Sequence, residues 1–213
     1  MRRTHFLLAT FLMTAATGSL FAVACSSSSS SSPGAVGDSG GNEVESPDAT
    51  PPNLAVNGSF EQSQAACAPP WTALPGSTLT TANMGHVGGH ACEICNLDPT
   101  AKEVAVVVSV PIDPPTDGTV GYALTAFLRD LDGGAGAGNK GRLTLTPQDG
   151  SGQPIAASQG QANVPIDSSS WRSFATSATP PKSATQLEAR IGGVLGPNGC
   201  MLVDDVVLYR AAP

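Results

Sequence analysis

Tyr122-Ala123-Leu124-Thr125-Ala126-Phe127-Leu128-Arg129 alternates from end to end. A period of two puts Tyr122, Leu124, Ala126 and Leu128 on one face of an extended strand, with Thr125, Phe127 and Arg129 on the other. Upstream, Val104/Val106/Val108/Val110 repeats the pattern, and downstream Leu143/Leu145 and Leu187/Ala189/Ile191 do so again. Towards the ends lie Leu54/Val56 and Leu202/Val206/Leu208. These runs are short, often β-branched, and separated by turn-forming clusters such as Asp113-Pro114-Pro115-Thr116-Asp117-Gly118. No stretch carries the spacing of an amphipathic helix, and 24 glycines with 18 prolines would interrupt one. The expectation is an all-β chain with one antiparallel β-sandwich over residues 52–213, large enough for a single core. Asp132-Gly133-Gly134-Ala135-Gly136-Ala137-Gly138 reads as a hairpin loop. It is not a phosphate cradle, because no helix follows it.

Residues 1–51 have a different composition. Arg2 and Arg3 precede an apolar run from Phe6 to Ala24, the order of charge and hydrophobicity of an export signal. Phe21-Ala22-Val23-Ala24-Cys25 resembles a bacterial lipobox, with Ala22 where leucine is usual. That resemblance implies a signal peptide over 1–24 and acylation of Cys25; an ordinary signal cut near Ala24 and an uncleaved membrane helix remain alternatives. Seven serines follow, Ser26 to Ser32, and 25–51 as a whole has too few large apolar side chains to fold. It reads as a solvated tether. Ser26 after the cysteine resembles the outer-membrane sorting class. The chain is thus expected to be exported, anchored to the outer membrane or cell surface through its lipid alone, and monomeric. Its net charge of −7, more acidic once Arg2 and Arg3 leave, argues against nucleic acid as a partner.

The two ends of the expected sandwich carry more specific motifs. Asn53-Leu54-Ala55-Val56-Asn57-Gly58-Ser59-Phe60-Glu61, with Trp71 following, and Met201-Leu202-Val203-Asp204-Asp205-Val206-Val207-Leu208 look like the opening and closing strands of galactose-binding-like jelly rolls. The Tyr122–Arg129 strand, Ser170-Trp171-Arg172-Ser173-Phe174 and, loosely, Gly88-Gly89-His90-Ala91-Cys92-Glu93-Ile94 fit the same pattern. Over residues 53–210 the chain resembles carbohydrate-binding modules of families four, nine and twenty-two.

The resemblance implies a structural calcium ion tying the first strand to the last through Glu61 and Asp204, with Asp205 as substitute. Alternation bears on the same residue: Asp204 shares parity with Leu202, Val206 and Leu208, so its carboxylate should face the core and need a cation, amide donors or a proton. An exported protein meets calcium, and oxygen ligands suit it. Amides alone would serve equally.

Cys67, Cys92, Cys95 and Cys200 remain after Cys25. An even number in an oxidising compartment favours two disulfides. Parity places Cys92 with Ile94 and Cys200 with Leu202 on the core side, so Cys92–Cys200 with Cys67–Cys95 is the preferred pairing. His86-x3-His90-x-Cys92-x2-Cys95 offers four zinc-type ligands, but successive strand residues face opposite ways. For catalysis, His86 and His90 are the histidines left after the signal, no Gly-x-Ser-x-Gly elbow occurs, and Asp204 and Asp205 cannot flank one glycosidic bond. No enzymatic activity is expected. For sugar, most aromatics fall at positions the fold itself uses; Phe127 with Arg129 and Arg190 is the expected polar binding surface. Two functions follow: a lipoprotein whose module binds a polysaccharide weakly, or a structural or adhesive surface protein that keeps the sandwich without a sugar site.

Overall fold

The computed structural model describes residues 51–62, 67, 69–131, 139–155 and 159–211. The expected signal, Cys25 and nearly all of the tether lie outside the described residues. Ten strands follow in order: β1 (Thr72–Ala73), β2 (Ser77–Ala82), β3 (Ala91–Asn96), β4 (Lys102–Pro111), β5 (Tyr122–Asp130), β6 (Lys140–Gln148), β7 (Gly160–Pro165), β8 (Arg172–Ala178), β9 (Gln186–Leu195) and β10 (Cys200–Arg210). They form two antiparallel five-stranded sheets, β1-β4-β9-β6-β7 and β2-β3-β10-β5-β8. Each sheet buries one face against the other, and the inward residues of the alternating runs fill the space between. Val104, Val106, Leu124, Leu128, Leu143, Leu145, Leu187 and Ile191 are all fully buried in one core. Phe60 and Trp71 close one end of it, their ring centroids 5.4 Å apart.

Residues 132–138 lie outside the described residues. They include the expected hairpin loop, and the strands on either side of them, β5 and β6, belong to different sheets.

The opening segment forms no strand. Left-handed φ angles at Asn57 (52°) and Phe60 (54°) curl it, and Val56 is 59% exposed, not core. The segment is nevertheless bound along β10. Leu54 N donates to Leu208 O (2.7 Å), and Val206 N donates to Gly58 O (2.8 Å). The Asn53 amide donates to Val206 O and accepts from Leu208 N. Residues 53–58 and β10 therefore lie side by side. Trp71 Nε1 fixes the curl from the other side by donating to Val56 O.

This contact occupies a β-bulge. The register of β10 against β5 shifts between Asp204 and Val207, and Asp205 sits at φ 46°. Before the bulge, Met201 and Val203 stand opposite Asp130 and Leu128 and face inward; Leu202 and Asp204 stand opposite Arg129 and Phe127 on the outer face. After it, Val206 and Leu208 face inward again. Asp204 is thus buried as expected, but beneath a covering loop on the outer side of the sheet. A period-two count run through the bulge, blind to the extra residue, points it to the core instead.

The same shift corrects the disulfides. Cys200 shares the outer face with Leu202 and stands directly opposite Cys95, to which it is bonded. Cys92 faces inward and is bonded to Cys67. The expected Cys92–Cys200 and Cys67–Cys95 pairs would each have had to reach through the sheet.

Candidate functional site

The outer face of the β1-β4-β9-β6-β7 sheet is polar along its centre. β9 contributes Glu188 and Arg190, because Leu187, Ala189 and Ile191 take the inward positions. Glu188 stands between Ser109 of β4 and Thr146 of β6, and Arg190 between Val107 and Thr144. Gln148 Nε2 donates to Glu188 Oε2 (3.1 Å), and Arg190 Nε donates to Glu188 Oε1 (2.5 Å). Glu188 keeps 15% of its side chain exposed and Arg190 41%. Together with Thr146, Gly152 and Pro154 these three residues line an open depression of about 410 Å³. Farther along the face, Arg142 bridges Glu103 (3.0 Å) and Asn163 (2.7 Å).

The carboxylate of Glu188 balances the guanidinium beside it and fixes the direction of its N–H fork. The result is a shallow, hydrogen-bonding floor near charge neutrality, suited to hydroxyl groups. Among the described residues, no aromatic ring lines it.

The expected binding set is split. Arg190 lies on this face, whereas Phe127 and Arg129 lie on the outer face of the other sheet, across the full thickness of the sandwich. Phe127 is no open platform: the His86 ring stacks on it at 3.7 Å and 15°, with the Trp171 ring edge-on to His86 at 5.8 Å. Arg129 Nε donates to Ser168 O and holds the segment entering β8. Sequence reasoning missed Gln148 and Thr146 as lining residues. The pairing of β6 with β9 is what brings them beside Glu188 and Arg190.

The acids expected to hold calcium all bind the loop between β2 and β3. Glu61 Oε1 accepts from Gly89 N (2.9 Å) and His90 N (2.7 Å), and Oε2 lies 3.0 Å from His90 Nδ1. These contacts, the imidazole first, hold the Glu61 carboxyl below its usual range. Asp204 Oδ2 accepts from His86 N (2.6 Å) and Oδ1 from Asp205 N (2.7 Å). Burial nevertheless pushes the Asp204 carboxyl up to about 6. Asp205 Oδ2 pairs with His86 Nδ1 at 2.7 Å.

Calcium requires six to eight oxygen ligands around one point. Among the described residues, Glu93, Cys95 and Cys200 are the one group of three such side chains whose ligand atoms all lie within 4.8 Å of one another. The two sulfurs there are bonded to each other. Glu61, Asp204 and Asp205 do not converge in that way, and the groups facing them are N–H donors and imidazoles. The donor set does not fit calcium. The zinc alternative also lacks ligands, since Cys92 and Cys95 are each in a disulfide.

No protein-family model matches the sequence, and no curated protein aligns with it significantly. Solved structures do match in shape. The CBM22-1 xylan-binding domain from Paenibacillus barcinonensis superimposes with a TM-score of 0.53 at 14% identity, covering 72% of this chain and 93% of that one. TmCBM61, solved with β-1,4-galactotriose, gives 0.51 at 14% identity, covering 75% and 99%. The chain shares the jelly-roll β-sandwich fold of these two modules. The same jelly roll matches the enzymatically active domain of tailspike protein 4 of bacteriophage CBA120, with a TM-score of 0.56 at 16% identity. There it covers 75% of this chain but 21% of the tailspike chain. At such identities the shared property is the fold.

Proposed function

We propose that the chain is a non-catalytic, lipid-anchored envelope protein whose jelly roll binds a polysaccharide in the depression around Glu188 and Arg190. The observation that carries this reading is the Gln148–Glu188–Arg190 chain of hydrogen bonds on the floor of that depression. It presents a preoriented guanidinium fork whose charge is already balanced. The shared fold with modules described as binding xylan and β-1,4-galactotriose supports the same ligand class. Two disulfides agree with an oxidising, exported setting. The lipobox-like Cys25 supports the anchor: incorporation of a palmitate analogue should disappear in Cys25→Ala.

Without an aromatic ring to stack on a sugar, affinity rests on hydrogen bonds and is modest. Retention of the purified full chain on insoluble polysaccharides and on a glycan array tests the proposal. Arg190→Ala should weaken retention at least about tenfold, the effect of losing a charged hydrogen bond of about 1.5–3 kcal/mol. Unchanged retention in that variant would move the site elsewhere. The bare floor also favours a second reading, a structural or adhesive surface protein without a sugar site. Failure of the wild type to bind any polysaccharide would decide for it.

A further inference from the structure

The β2–β3 loop, Met84-Gly85-His86-Val87-Gly88-Gly89-His90, joins three parts of the molecule distant in sequence. Glu61 of the opening segment holds its C-terminal half through the Gly89 and His90 amides and the His90 imidazole. Asp204 and Asp205 of the β10 bulge hold its N-terminal half through the His86 amide and imidazole. Phe127 of β5 supports the His86 ring from below. The glycines make this approach possible. Gly88 has φ +89°, and a Cβ there would lie 2.4 Å from Glu61 Oε1; a Cβ at Gly85 would lie 2.7 Å from His90 O.

Three carboxylates at one rim of a sandwich would repel one another and, in the case of Asp204, lack solvent. A cation is one remedy and convergent N–H groups are another. Here every one of the three carboxylates already has such donors, and their oxygens do not gather at a point.

We propose that this loop is a strap that fastens the opening segment to the β10 bulge by hydrogen bonds from its amides and two histidines, and that it does so without a metal ion. The strap is a structural device, separate from the glycan depression on the opposite sheet.

Calorimetric melting of the full chain in millimolar calcium and in excess chelator tests it. The two wild-type midpoints should agree to within about 1 °C, and titration with calcium should give no binding heat. His86→Ala and His90→Ala should each lower the midpoint by about 4 °C or more in both buffers. A saturable rise of about 4 °C or more with calcium in the wild type would overturn the proposal. So would melting of both histidine variants with the wild type. The wild-type comparison needs no variant and stands even if a substitution prevents folding.

Discussion

Asp204 has no exposed surface and still carries hydrogen bonds suited to a charged group. Its pH behaviour follows from that conflict. Burial raises its folded pKa to about 6 from the ordinary 3.8, so between these values the folded protein binds more protons than the unfolded chain. This group's contribution is therefore fully present below about pH 4 and is lost as the pH rises through about 6. Carboxyls held low, Glu61 among them, act in the opposite direction and remain in an Asp204 variant. Urea unfolding of wild type and Asp204→Asn at pH 4.5 and 7.5 isolates the contribution of this carboxyl. The stability difference, wild type minus variant, should be more favourable to the wild type at the lower pH, by about 1–3 kcal/mol. An equal difference at both values would show that Asp204 does not titrate as its burial requires.

At the scale of elements, the docking of the opening segment on the β10 bulge depends on one close approach. A Cβ on Gly58 would lie 2.0 Å from Val206 O, the residue whose amide Gly58 O accepts. Gly58→Ala should destabilise the fold by about 1–3 kcal/mol, measured by chemical unfolding, whereas Gly89→Ala, with open space around it, should not meet that clash. The disulfides give a chemical check on the same element. Peptide mapping without reduction should recover Cys67 joined to Cys92 and Cys95 joined to Cys200. Recovery of Cys92 joined to Cys200 would contradict the bulge. Replacing Cys95 and Cys200 by serine should cost about 2–4 kcal/mol. The strands themselves were legible in the sequence because parity holds within any unbroken strand: Val104 to Val110, Tyr122 to Leu128 and Leu187 to Ile191 all point where alternation placed them. Parity fails where one residue adopts a left-handed conformation inside a strand. Asp205 does so, and nothing in Met201–Leu208 announces it. That single residue accounts for the misplaced Asp204, the mistaken Cys200 side and the wrong disulfide pairing.

For the whole molecule, sheet membership matters more than local pattern. Residues that all face outward, such as Phe127, Arg129 and Arg190, can stand on opposite sides of a sandwich, and alternation alone cannot separate them. The resemblance of the chain ends to jelly-roll modules set the architecture correctly, since both ends meet at the bulge. It did not locate the depression, whose residues come from β6, β9 and the connection after β6. The polar face and the strapped aromatic face thus divide: Arg190 presents N–H donors and Glu188 acceptor oxygens on one, while His86 packs against Phe127 and Trp171 on the other. Backbone amide NMR of the full chain, titrated with an oligosaccharide from whichever polysaccharide retains it, tests that division most directly. Shifts should concentrate at Thr146, Gln148, Glu188 and Arg190. Shifts concentrated instead at Phe127, Arg129 and Trp171 would contradict the account.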